Sequence, residues 1–226
     1  MKVDFMRGVD YWIGIPICFV LSIVRGIQKL FGFKLPKGFK PKKILFIELS
    51  EMGSTVLAYG AIKKANELFN ADVYFMIFEE NRHSMDLLNV IPRKNIITIK
   101  SKSFIHLFFD TFRAIFQVWG LKIDTVIDLE LFSRFTSILS FFSGAKAIVG
   151  YYKYHMEGLY RGTFQTHKVE YNPHYHISKG FMSLVYALEA DPDEKPLLKR
   201  EVKKPGTGKV LISLEESKAL FDKLRI

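Results

Sequence analysis

Five short apolar runs, separated by stretches with helical spacing, constrain this chain more than any other feature. Lys43–Leu49 (KILFIEL), Asp72–Phe78, Asn95–Ile99, Ile123–Leu129 and Lys146–Tyr151 are too short for helices and too continuously apolar for strands that face water. Between them, Ser54–Phe69, Asn81–Val90, Ser103–Trp119 and Phe132–Phe142 carry apolar residues at helical spacing. In the first of these Val56, Leu57, Ala61, Ala65 and Leu68 can share one face. Ile177–Glu189 adds a helix with Phe181, Leu184, Val185 and Leu188 in one stripe. Strands that alternate with helices predict an α/β fold, a doubly wound parallel sheet covered on both faces.

The segment before the first strand has a different texture. Tyr11–Val24 (YWIGIPICFVLSIV) runs for fourteen residues without a charge and is followed by Arg25 and Lys29. As a helix it spans about 21 Å, short of a hydrocarbon core of about 30 Å. No small-residue cleavage site follows it, which argues against a secretory signal peptide. Tyr11 and Trp12 suit an interfacial position, so a monotopic anchor is expected, its Lys-rich end on anionic headgroups. A helix packed against the domain is the alternative. Pro16 starts or kinks either one. Lys34–Lys43 (KLPKGFKPKK) reads as a linker.

Charge follows the same division. Of the net +10 in 226 residues, +7 lies within residues 1–43, where nine Lys and Arg face Asp4 and Asp10. The remainder carries only +3, which argues against a nucleic-acid partner and for a membrane surface contacted through residues 1–43. The single cysteine, Cys18, excludes a disulfide framework and a cysteine-based zinc site.

After the fifth strand, Tyr152–Tyr171 is rich in Tyr, His and Gly without periodicity, as expected of a long functional loop. Asp191–Gly208 reads as an interdomain linker and Lys209–Leu214 (KVLISL) as the first strand of a second domain. The expected organisation is a basic hydrophobic anchor and linker over 1–41, a Rossmann-like domain over 42–190, and a linker with the start of a truncated second domain over 191–226.

Open parallel sheets bind ligands where their strands end. The loop after the first strand, Ser50-Glu51-Met52-Gly53-Ser54-Thr55, lies at such a place. Gly53 allows a tight turn there, Ser54 or Thr55 can cap the next helix, and free amides could receive an anionic or polyhydroxyl ligand. A plain strand-to-helix turn is the alternative. Asp128 and Glu130 close the fourth strand on one side, able to bind sugar hydroxyls or transfer protons, or else to stand as a capping or solvated pair. Four histidines (His155, His167, His174 and His176) cluster in the later part of the chain. His174 and His176 lack a carboxylate or Cys at ligand spacing, so no metal and no cofactor is expected.

Four stretches carry a family resemblance. KILFIELSEMGSTVLAYGAIKKANELF, FEENRHSMDLLNVIPRKNIITI, IDTVIDLELFSRFTSILSFFSGAKAIVGY and THKVEYNPHYHISKGFMSLVYAL, in that order, resemble the lipopolysaccharide heptosyltransferase-like glycosyltransferases of family 9, over about Lys42 to Leu188. The resemblance implies the N-terminal, acceptor-side half of a GT-B fold that works without a metal. It implies an inverting transfer of a heptose-like sugar from a nucleotide sugar such as ADP-heptose to a lipid-linked, lipopolysaccharide core-type acceptor. That work belongs at the cytoplasmic face of the bacterial inner membrane. Ser50, Met52, Gly53, Ser54, Thr55 and Glu130 then fall at the acceptor side. Ser54 stands where members of the family commonly carry the Asp taken as catalytic base. A serine is no base at neutral pH, so Glu51 or Asp128 is expected to substitute. The donor-binding residues of the family have no counterparts in this chain, as expected of a fragment or a truncated gene product; the alternatives are half of a two-chain enzyme, or a non-catalytic membrane-associated binding module.

Overall fold

A computed structural model describes residues 3–153, 160–192 and 202. Six parallel strands form one sheet in the order β3-β2-β1-β4-β5-β6: β1 Lys43–Ile47, β2 Asp72–Phe78, β3 Ile96–Ile99, β4 Thr125–Asp128, β5 Ala147–Lys153 and β6 His167–Glu170. The five expected strands are all present. β6 was not expected, and it lies inside the stretch read as a long loop. It is a four-residue edge strand whose residues alternate between buried and half-buried, too short a pattern to register as periodicity.

Helices cover both faces. On one, α4 (Tyr59–Phe69), α5 (His83–Leu88) and α8 (Ile177–Ala187) pack Ile62, Met85, Phe181 and Leu184 against Ile44, Phe46, Phe75 and Val149. On the other, α6 (Phe104–Leu121) and α7 (Arg134–Phe142) bring Ala114, Val118 and Leu139 onto Leu45, Ile47, Met76 and Val126. Ser103 and Ser133 cap α6 and α7 through their hydroxyls, which accept the His106 and Thr136 amide protons. The helix expected over 54–69 begins earlier and is divided: α3 (Met52–Leu57) is separated from α4 at Ala58. The Ala58 N–H is shared between the Ser54 and Thr55 carbonyls at 2.9 and 3.2 Å, which tightens that turn.

The N-terminal segment forms two helices, α1 (Val3–Trp12) and α2 (Gly14–Leu30), with Pro16 in the first turn of α2, where a missing N–H costs nothing. One side of α2 docks on α7, where Cys18 and Leu21 pack with Ile138, Phe141 and Phe164. The other side exposes Phe19, Val20, Ile23 and Ile27. Arg7–Leu30 is long and apolar enough to cross a membrane by length and composition. The Lys209–Leu214 strand, His155 and nearly all of the expected 191–226 segment lie outside the described residues.

Candidate active site

The order of strands reverses between β1 and β4: the chain runs outward through β2 and β3 on one side and through β5 and β6 on the other. Helices diverge to opposite faces at such a point, leaving a crevice outside the carboxyl ends of the two central strands. The loops holding Ser50–Thr55 and Asp128–Glu130 both open there, so residues far apart in sequence converge as expected.

Glu130 reaches across from the end of β4. Its Oε1 accepts the Leu49 and Ser50 N–H groups at 3.0 and 3.1 Å and the Ser50 hydroxyl at 2.7 Å. From the β2 side, Asn81 Nδ2 donates to the carbonyls of Leu49 and Ser50 at 2.9 and 3.0 Å. The loop is thus pinned from both flanks. Its exposed residues are Ser50, Glu51, Met52 and Gly53, while Ser54 and Thr55 are buried.

Three local details differ from expectation. Gly53 is a helical residue within α3 with no positive φ, and open space surrounds it, so it makes the surface bare rather than enabling a turn. The cap position belongs to Glu51, and Ser54 and Thr55 lie inside α3. Their hydroxyls serve Glu51 instead: Ser54 Oγ donates to Glu51 Oε2 at 2.7 Å, and Thr55 Oγ1 donates to the Glu51 carbonyl at 2.9 Å. An exposed carboxylate is thereby oriented at the mouth of the crevice.

Asp128 has another environment. It is buried at the end of β4, where Arg161 Nη2 donates to its Oδ2, as does Thr136 Oγ1 at 3.2 Å. Burial raises its pKa to about 6, opposed by the Arg161 charge and reinforced by Glu130. Asp128 and Glu130 therefore part company: one turns under α7, the other reaches over β1. Arg161 is itself buried and also donates to the Ser133 carbonyl at 2.8 Å, which ties the 160–166 segment to the start of α7.

Glu48, at the end of β1, was not singled out from the sequence. It is 3% exposed, and burial together with Glu130, Glu51 and Asp128 pushes its pKa to about 10, although its carboxyl accepts the Glu51 N–H. Its signal was an acidic residue near the end of an otherwise apolar run. Arg161 gave no comparable signal, because its partner lies 33 positions away.

A cavity of about 220 Å³ opens near the carboxyl ends of β5 and β6, among Tyr151, Glu170, Tyr171, Asn172 and Tyr175. A larger one, about 460 Å³, lies near the opposite edge, between Leu35, Phe39, Asn70 and Leu188. Strand direction favours the first as ligand space. His176 caps α8, its Nδ1 accepting the Ser178 N–H at 3.3 Å, and the His174 N–H donates to Asn172 Oδ1 at 2.9 Å. Among the described residues no group of three or more His, Cys, Asp or Glu is placed to hold a metal ion.

No protein-family model matches the chain, and no curated protein matches its sequence. Solved structures do. Heptosyltransferase WaaC of E. coli with ADP-2-deoxy-2-fluoro heptose superposes with a TM-score of 0.54 at 13% identity, over 68% of this chain and 50% of that one. A family 9 glycosyl transferase from Veillonella parvula gives 0.59 at 14% identity, over 86% and 52%. The chain shares its fold with these glycosyltransferases. It spans about half the length of each. The crevice between β1 and β4, where Glu51 pairs with Ser54 and Glu130 holds Ser50, lies in the sheet whose fold is shared.

Proposed function

We propose that this chain is the acceptor side of an inverting glycosyltransferase of the bacterial envelope. It would move a heptose-like sugar from an ADP-heptose-like donor to a lipid-linked, lipopolysaccharide core-type acceptor. The observation that carries the reading is the exposed Glu51 carboxylate, oriented by Ser54 Oγ at 2.7 Å, at the switch point of a sheet shared with heptosyltransferase WaaC.

The chemistry follows from that placement. Glu51 takes the proton of the acceptor hydroxyl as its oxygen attacks the anomeric carbon opposite the leaving group. The new carbon–oxygen bond forms as the bond to the nucleotide diphosphate breaks. Ser54 orients the base, and Thr55 fixes the backbone beneath it. Ser50, Met52 and Gly53 offer the acceptor an exposed surface, while Glu130 holds their loop. Asp128 acts from below, through Arg161, as a positioning residue. Donor binding belongs to a second unit, in keeping with a span of about half the heptosyltransferase length. The +7 of residues 1–43 supports contact with an anionic membrane, at the cytoplasmic face of the inner membrane where such acceptors are built.

The test is release of ADP from ADP-heptose in the presence of a heptose-deficient core acceptor, using the protein together with its donor unit. Glu51→Gln is expected to lower kcat by about 10²-fold or more while the circular dichroism spectrum is unchanged. Unaltered turnover in that variant removes Glu51 from the mechanism. Acceptor binding without turnover of any nucleotide sugar would replace the enzyme with a non-catalytic binding module.

A further inference from the structure

α6 carries more apolar surface than the sheet can cover. Its inner stripe, with Leu107, Ala114, Ile115, Val118 and Leu121, packs on the strands. A helix seated by such a stripe ordinarily turns polar residues outward. Here Ile105, Phe108, Phe109, Phe112, Phe116 and Trp119 are 47–67% exposed. Edge-to-face contacts link Phe108 to Phe109 and Phe112, and separately Phe116 to Trp119, along the same face of the helix. At about 200 Å² per large side chain, half of it bare, the six expose on the order of 600 Å². That reaches the upper end of the largest patch a typical monomer shows, roughly 300–600 Å².

The charges on α6 leave this face bare. Asp110 accepts the Lys100 N–H at 3.0 Å and pairs with Arg113 at 3.3 Å, and Arg113 also donates to the Thr98 carbonyl, so both are drawn toward β3.

Continuity and charge select the occupant. Trp119 Nε1 donates to the Phe142 carbonyl at the end of α7, and α7 carries α2 on its outer side. The bare faces of α6 and α2 thus belong to the same side of the sheet. Exposed lysines stand at both ends of α6, Lys100 and Lys102 before it and Lys122 after it, with Lys146 nearby in the turn before β5. A second copy would set these cations against their own kind, whereas anionic headgroups neutralise them and lysine stems reach them from an immersed helix.

We infer that α6 is a second membrane-docking element, lying with α2 in the interface of an anionic bilayer. The sheet is then held side-on to the membrane, and the crevice at the strand ends opens along the surface rather than away from it. That orientation suits an acceptor whose lipid end stays in the bilayer. The inference extends the reading of residues 1–43 as membrane contact, and the two can fail separately.

The chain has two tryptophans, Trp12 in α1 and Trp119 in α6, one reporter for each element. Full-length Trp12→Phe and Trp119→Phe proteins are mixed with phosphatidylethanolamine–phosphatidylglycerol vesicles, with and without bromine on the acyl chains. In Trp12→Phe protein, the Trp119 emission is expected to shift blue and to be quenched by bromolipid. Quenching of Trp12 alone overturns the role of α6 and leaves the N-terminal contact standing. Quenching of Trp119 alone supports α6 and removes the N-terminal contact, and quenching of neither removes both. A combined Ile105→Gln, Phe109→Gln, Phe112→Gln, Phe116→Gln protein, altered only at exposed positions, is expected to lose about tenfold or more of its vesicle partition. Unchanged partition, with a dimer of the parent chain becoming monomeric in this variant, would assign the face to copy–copy contact instead.

Discussion

Desolvation holds the Glu48 carboxyl neutral at physiological pH, and the nearby Glu130, Glu51 and Asp128 add to the effect. Its folded pKa of about 10 lies above the ordinary 4.5, so between those values the folded chain keeps a proton that the unfolded chain releases. Stability is fully present below about pH 4.5 and falls as pH rises toward about 10. Glu48→Gln is neutral throughout and can still accept the Glu51 N–H. Urea midpoints of the variant and the parent should coincide near pH 4, and the variant should be more stable by a few kcal/mol, roughly, at pH 8. Equal midpoints at both pH values would place a charged Glu48 in contact with water. At this scale the candidate site is half legible: Ser50, Asp128 and Glu130 stand out because they lie at or just after strand ends, and Glu51 and Ser54 through the loop after the first strand and the family resemblance. Glu48 belongs to an apolar run, and Arg161 to a stretch without periodicity, so neither carries a clear local signal.

Elements with many residues in register were easier to read than their ends. Asp72–Phe78 is a strand over the expected residues, and the expected Ser103–Trp119 helix runs from Phe104 to Leu121 behind its Ser103 cap. Both carry long apolar patterns, which local chemistry dictates. β6 and the break at Ala58 depend on partners instead: β6 exists because β5 offers it an edge, and one shared N–H makes the break. The end of α6 exposes a similar local cost. Lys122 sits at its C-cap in the left-handed region, with φ 56° and its N–H shared between the Trp119 and Val118 carbonyls. A side chain there crowds the backbone by about 1 kcal/mol, which glycine escapes. Lys122→Gly should therefore raise stability by about 0.5–1 kcal/mol in urea titration. Destabilisation would mean that the lysine stem covers apolar surface whose loss outweighs the relieved strain.

The N-terminal helices are built into the rest of the molecule at one narrow seam. Asp10 of α1 accepts the Arg134 and Phe135 N–H groups at 2.9 Å each, so its carboxylate meets the positive end of α7 from 124 residues away. Ser22 of α2 accepts the Thr163 N–H at 2.8 Å. No sequence pattern announces such pairings, because neither partner is unusual in its own neighbourhood. Gly162 is the point where the seam leaves no slack. It has φ +85°, and a methyl there would stand 2.3 Å from Phe164 Cε1 and 3.3 Å from the Cys18 carbonyl oxygen of α2. Gly162→Ala must therefore push Phe164 aside or lift α2 from α7, while the strand-to-strand hydrogen bonds, made by other residues, are kept. Arg25 reports the outcome, being 5% exposed with its guanidinium 4.4 Å from the Phe33 ring centroid and 5.2 Å from that of Phe141. In the parent chain trypsin should spare this bond, since cleavage requires local opening. In Gly162→Ala it should be cut about tenfold faster or more, with the circular dichroism spectrum nearly unchanged. Equal cleavage rates would show that Phe164 yields and α2 stays docked, making the seam softer than its glycine suggests.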